Sequence, residues 1–358
     1  MHKKLLIPGP TEVSQEILRE QTHPMIGHRS KDFSKLYAGI TEKLAKFFEL
    51  PTDYKPTVTT ASGALWFDIV GRSIVKNKAL VCANGAFSER FGKAIRYCGK
   101  TADFLEVEWG KVVKPDAVAE KLETGEYDTV TVCHNESSTG ARSPIHEIGK
   151  LIRRDYPNVV LAIDSVSSMA GDKILPSEIG CDVIFASTQK CFALPPGLAV
   201  ALVSDRALER ANQVPNRGAY TNLVEIFEFE KKHQTPSTPN IPLFYALNKR
   251  MDLLLEETYD KVYQRHKDMS EYTQQWAKKH FELFPEQGYE SITVSCVKNT
   301  LGKNFKALSE KLAEKGFSIG NGYGKLKDVT FRIGHMGEWN TAGIKQVLSL
   351  IDEIWGLN

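Results

Sequence analysis

The chain has 358 residues, 42% hydrophobic and 25% charged, the balance of an ordinary globular protein with two domains or one domain and an appendage. Lys and Arg number 46 against 44 Asp and Glu, a net charge of +2, which leaves no electrostatic footprint for nucleic acid or an anionic membrane. The opening offers only Leu5, Leu6 and Ile7 before Pro8, too short for a secretory leader, and no apolar run approaches the ~20 residues that span a bilayer.

In chain order, the first dozen residues read as an extended arm. Ala61-Ser-Gly-Ala64 precedes an apolar helical stretch, Leu65–Val70. From there to about residue 204 short apolar runs alternate with helical periodicity. The runs are Ala79–Ala83, Thr129–Cys133, Val159–Ile163, Val183–Ala186 and Leu198–Val203. The helical stretches are Ser88–Tyr97, Val113–Leu122 and His146–Arg154. Strands apolar on both faces that alternate with helices predict an α/β fold with a mostly parallel central sheet covered by helices on both sides.

Thr235-Pro-Ser-Thr-Pro239 interrupts the pattern, because proline suits neither a helix interior nor a central strand. A long helical region follows, about Leu243 to His280. Then come a strand at Ser291–Val297, a helix at Asn304–Lys315, a strand at Val329–Ile333 and an amphipathic helix at Thr341–Trp355. The division expected is an arm at 1–13, a large domain at 14–254 and a small α+β domain at 255–358. The six cysteines lack any C-x-x-C spacing and read as buried reduced thiols of a cytoplasmic protein. The nine histidines are scattered, so no metal site is expected.

An open parallel sheet binds ligands beyond the carboxyl ends of its strands. Asp164 stands at such an end, as a helix cap or as a carboxylate that pairs with a buried cation. Lys190 follows the next run, between Phe185-Ala186 and Cys191-Phe-Ala-Leu-Pro-Pro-Gly197. An apolar setting disfavours the ammonium ion, which is what a Schiff-base lysine requires. Ser62, Gly63 and Ala64 open a helix whose free N–H groups suit a phosphate. No nucleotide-binding glycine motif occurs. A lysine for an aldehyde, an aspartate for a pyridinium, a helix start for a phosphate and an aromatic, Phe87, for a ring describe pyridoxal 5'-phosphate.

At this point the chain resembles a class V aminotransferase of pyridoxal-phosphate fold type I, in the alanine–glyoxylate and serine–pyruvate group. The blocks that carry the resemblance are Ile7-Pro-Gly-Pro-Thr11, Ile26-Gly-His-Arg-Ser30, Glu136-Ser-Ser-Thr-Gly140, Asp164-Ser-Val166, Ser187-Thr-Gln-Lys190 with Pro195-Pro-Gly197, and Phe331-Arg-Ile-Gly334. They stand in the family's order along nearly the whole chain.

The resemblance implies a small amino donor of the serine or alanine type and a 2-oxo acid acceptor of the glyoxylate or pyruvate type. Transfer would be ping-pong, through a Lys190 Schiff base. A phosphoserine donor with 2-oxoglutarate is the alternative. A cysteine desulfurase-like lyase fits less well, because Gln189 stands where those enzymes carry histidine. It would also need a mobile nucleophilic cysteine, and Cys296 sits in a strand-like run. A non-catalytic subunit of the same fold fits less well still, given Lys190, Asp164 and Arg332 together.

By the same resemblance Asp164 would hold the ring nitrogen, Val166 and Phe87 would sandwich the ring, and Ser137 would lie near the ring hydroxyl. Ser62, Gly63, Ala64, Thr188 and Gln189 would hold the phosphate, with Thr235 supplied by the partner subunit of a homodimer. Arg332 would clamp the substrate carboxylate. Gly9, Gly27, His28 and Arg29 would line the substrate mouth. The chain departs from the family in carrying Phe87 for a common tryptophan, Ala64 for a common histidine and Lys232 for a common tyrosine.

Overall fold

The structure, a computed structural model, describes residues 2–357, so Met1 of the expected arm and Asn358 lie outside it. The strands of three or more residues are, in chain order, β1 (Lys4–Leu6), β2 (Tyr54–Thr59), β3 (Lys78–Ala83), β4 (Thr101–Glu106), β5 (Thr129–Cys133), β6 (Val160–Asp164), β7 (Val183–Ser187), β8 (Ala199–Ser204), β9 (Val294–Lys298), β10 (Phe317–Asn321) and β11 (Thr330–Gly334).

Seven of them form the large sheet in the order β2-β8-β7-β6-β5-β3-β4. The strands β3 to β7 pair in parallel, whereas β8 runs antiparallel to both β7 and β2. Side chains alternate across this sheet. Leu80, Val130, Leu161, Ile163 and Ile184 enter the core on one face, and Val81, Val160, Ala162, Val183 and Phe185 enter the core on the other. Both faces are therefore dry, which is why these segments read as uninterrupted apolar runs.

Two strands of the sheet escape the sequence pattern. In β2, Pro56 has no N–H to give to a ladder, and β2 is an edge strand, where proline is tolerated. The other edge, β4, reads Thr-Ala-Asp-Phe-Leu-Glu and has only Ala102 fully buried.

A second sheet carries β1-β10-β11-β9, extended by the two-residue strand Glu282–Leu283. The expected arm thus supplies an edge strand: Lys4–Leu6 pair in parallel with Phe317–Ile319. Leu6, Val297, Ile319, Phe331 and Ile333 pack against Trp276, Leu308, Val347, Ile351 and Trp355. The long helical region after the proline break is two helices, Ile241–Glu257 and Tyr259–His280. They meet at Thr258, whose backbone is left-handed.

Candidate active site

The cleft lies at the carboxyl ends of β3, β5, β6 and β7, as the parallel-sheet rule requires. Asp164 is the last residue of β6 and is buried. Its Oδ1 accepts the Val166 N–H at 2.8 Å, and the Cys133 thiol lies 3.8 Å from Oδ2. Burial dominates these contacts and pushes the carboxyl up to about 7, with the nearby Glu136 carboxylate adding to the rise.

Lys190 follows β7 on a loop closed by bonds from Thr188 N–H to Leu198 O (3.0 Å) and from Ala193 N–H to Lys190 O (2.9 Å). The chain must turn back here into antiparallel β8, so the lysine projects from a braced loop. Burial pushes its amine down to about 8, and the Arg332 guanidinium acts in the same direction. The arm covers it: Lys190 Nζ donates to Pro8 O, and Gly9 lies over the side chain. Gly9 has a φ of +93°, and a Cβ there would fall 2.4 Å from Lys190 Cδ. Only glycine meets both conditions.

Ser62, Gly63, Ala64, Phe87, Ser137, Val166 and Gln189 line the same cleft as Asp164 and Lys190. Ser187 Oγ accepts the Gly63 N–H at 2.6 Å, tying the helix that starts at Ala64 to the lysine strand. A Cβ on Gly63 would come within 2.6 Å of both Ser187 Oγ and Val166 Cγ2. Leu65 and Trp66 N–H groups bond back to Ser62 O and Gly63 O, so with Gly63 three N–H groups of this helix start already have acceptors. Thr188 is buried and does not line the cleft; its hydroxyl donates to Leu198 O and Pro195 O and braces the lysine loop.

Arg332 is the middle residue of β11, half-buried, with Nε bonded to Asn321 O (2.9 Å) and Nη1 to Ser137 O (3.0 Å). Burial pulls its pKa below the ordinary arginine value. Backbone carbonyls therefore aim the guanidinium without neutralising it, which leaves its charge for a ligand anion.

A second group of expected residues lies apart. Arg29 Nη1 donates to Thr235 O at 2.6 Å and Nη2 to Pro236 O at 2.8 Å, with the guanidinium 4.7 Å from the Phe229 ring centre. Thr235 borders another cleft, with Tyr37, Thr59 and Tyr220. Lys232 Nζ lies 5.4 Å from the same Phe229 ring. Gly27 and His28 stand on the loop before the helix Lys31–Phe47, and Gly27 O accepts the Ser30 N–H. Within one chain the structure does not bring Gly27, His28, Arg29 or Thr235 to Lys190.

Several residues in the cleft or just behind it had no assigned role in the sequence reading. Glu136 is wholly buried and accepts Phe87 N–H (3.0 Å), Ser88 N–H (2.9 Å) and the Ser138 hydroxyl (2.6 Å). It caps the helix Ala86–Tyr97 from outside and so sets the position of Phe87. Asn135 and Ser167 line the cleft floor, and Arg90 lines it one turn beyond Phe87. Arg90 has no acceptor among the described residues. The buried Oε1 of Gln189 and Oδ1 of Asn135 also lack partners. Orphaned acceptors beside a lysine and an aspartate fit a bound polar group that donates hydrogen bonds to them. Among the described residues no cluster could hold a metal ion, and no helix is long and apolar enough to cross a membrane.

The family model for class-V aminotransferases matches residues 10–319. The chain belongs to the class-V aminotransferases. It is therefore a transaminase of the α/β architecture of fold type I. It is 38% identical to an uncharacterised aminotransferase of Methanocaldococcus jannaschii, over 98% of this chain and 91% of that one. It is 29% identical to a serine–glyoxylate aminotransferase of Methylorubrum extorquens, over 98% and 89% of the two chains. A phosphoserine aminotransferase structure from Cytophaga hutchinsonii superposes with a TM-score of 0.90 at 25% identity, covering 98% of each chain. In this class-V aminotransferase Cys296, weighed above as a possible lyase nucleophile, is buried within β9, where burial pushes its thiol up to about 11. A thiol so raised supplies almost no thiolate at neutral pH.

Proposed function

We propose that this aminotransferase uses pyridoxal 5'-phosphate on Lys190 to move an amino group from a small amino acid of the serine or alanine type to glyoxylate or pyruvate. The observation that carries the reading is one cleft holding a lysine amine lowered to about 8 opposite an aspartate raised to about 7. When bound, the cofactor supplies an aldehyde and an electron-withdrawing ring. Ser62, Gly63, Ala64 and Gln189 would hold its phosphate, Val166 and Phe87 its ring faces, Ser137 its hydroxyl edge and Asp164 its ring nitrogen.

Lys190 Nζ, near its own pKa at working pH, takes and returns the substrate Cα proton. Arg332 binds the carboxylate common to donor and acceptor, and Gly9 leaves room over the lysine. Thr235, held by Arg29, would complete the phosphate site of a neighbouring copy in a homodimer. Its separation from Lys190 within one chain supports that arrangement. Arg90, an exposed arginine that lines the cleft, supports an acidic or phosphorylated donor as the second reading.

The test is a donor panel of alanine, serine, aspartate and phosphoserine against glyoxylate, pyruvate and 2-oxoglutarate, with Lys190→Ala alongside. Turnover of alanine or serine with glyoxylate or pyruvate, falling by several orders of magnitude in the variant, supports the proposal. Activity with phosphoserine alone would replace it with the second reading, and full activity of the variant would sink both.

A further inference from the structure

The loop between β10 and β11 brings Tyr323 over the cleft. Its ring centre lies 5.2 Å from that of Phe87 and 5.4 Å from the Arg332 guanidinium carbon. Its ring thus neighbours both the expected ring-stacking residue and the expected carboxylate clamp. It remains 40% exposed, so it stands at the opening and is not part of the core.

The loop is fastened from both ends. Asn321 Oδ1 accepts the N–H groups of Gly322 (2.7 Å) and Asp328 (3.0 Å), and Asn321 Nδ2 donates to Asp328 Oδ1 (2.7 Å). Lys325 Nζ sits 4.1 Å from the Trp109 ring centre, and Trp109 Nε1 donates to Glu89 Oε1 at 2.9 Å. Glu89 belongs to the helix that carries Phe87, so the Tyr323 loop is latched to that helix.

We infer that Tyr323 is a specificity-determining residue, its ring forming the wall that limits the substrate side chain to the size of alanine or serine. The inference rests on the reading of Arg332 as the carboxylate clamp. With the carboxylate held at Arg332, a substrate side chain leaves Cα into the space that the rings of Phe87 and Tyr323 border. A fastened aromatic wall rejects by steric overlap, and one methylene more or less in such a pocket is worth roughly 10–200-fold in discrimination.

The test uses holoenzyme of the wild type, Tyr323→Ala and Tyr323→Phe. The kcat/KM values for alanine, serine, leucine and phenylalanine are measured with glyoxylate. Calorimetric Kd values for acetate, propionate, 4-methylpentanoate and 3-phenylpropionate are measured beside them. Tyr323→Ala should raise the phenylalanine-to-alanine ratio of kcat/KM at least tenfold and favour 3-phenylpropionate over propionate by a similar factor. Tyr323→Phe should keep the wild-type ranking in both assays. Unchanged rankings in Tyr323→Ala, or an equal shift in Tyr323→Phe, would overturn the inference. If no amino donor turns over while the carboxylate ranking still shifts, the amino-transfer reading fails and the wall stands.

Discussion

Replacing Asp164 with Asn should stabilise the cofactor-free protein while crippling the enzyme, and the size of the gain follows from the structure. Burial lifts the Asp164 carboxyl from its ordinary 3.8 to about 7. Above pH ~4 the unfolded chain has lost this proton and the folded chain keeps it. Folding then takes up a proton, so stability contributed by this group falls as pH rises from ~4 to ~7 and stays at its lower value above. Between pH 5 and 7 the change is two pH units at about 1.4 kcal/mol each, at most about 3 kcal/mol.

The value of about 7 is net of the Val166 N–H and Lys190, which both favour the anion, and about 1–3 kcal/mol is the expected range. Asn keeps the shape and does not titrate. Urea unfolding of both apoproteins at pH 5 and pH 8 reads the effect, net of a smaller opposing change at Lys190, whose ammonium form the Asp164 carboxylate supports. The variant should gain about 1–3 kcal/mol on the wild type between the two pH values. No gain, or a loss, would mean that the carboxylate is satisfied without a cation and that the reading of Asp164 as the partner of a ring nitrogen is wrong. With cofactor bound the gain should vanish, and transamination should fall at least about a hundredfold.

Arg332→Lys keeps the charge and loses the fork held by Asn321 O and Ser137 O. Stopped-flow measurement of each half-reaction should show kcat/KM reduced about 30–1000-fold, or roughly 2–4 kcal/mol, for donor and acceptor alike. A loss confined to one of them would remove the common clamp. Gly9→Ala places a Cβ against Lys190 and strains a backbone at positive φ. Steady-state kinetics should show kcat down at least about tenfold, and denaturant titration a stability loss of about 1–3 kcal/mol.

Much of the large sheet was legible because its inner strands are dry on both faces, and the residues of the two cores alternate along each strand. The edges were not legible, because an edge strand need not look like one: β2 tolerates Pro56, and β4 buries only Ala102 fully. The break at Thr258 was hidden because a threonine, not a glycine or proline, takes the left-handed turn. In the site, Asp164 stood out because it ends an apolar run and Lys190 because apolar segments flank it, settings where a charged residue needs a reason. Glu136 and Tyr323 did not, since their meaning lies in what they touch. Glu136 reaches a helix start that precedes it in sequence, and Tyr323, in a loop of the small sheet, meets Phe87 from far along the chain.

The pairing of β1 with β10 has a consequence for how the protein is made. Lys4–Leu6 leave the ribosome long before their partners Phe317–Ile319. A nascent chain can close the large sheet, and with it the Asp164 and Lys190 loops, while the amino terminus still has nothing to pair with. The lid formed by Pro8 and Gly9 over the reactive amine can settle only after the last strands emerge. During synthesis the lysine is therefore open to any aldehyde in the surrounding solution, and the finished pocket is assembled by joining the two ends of the chain.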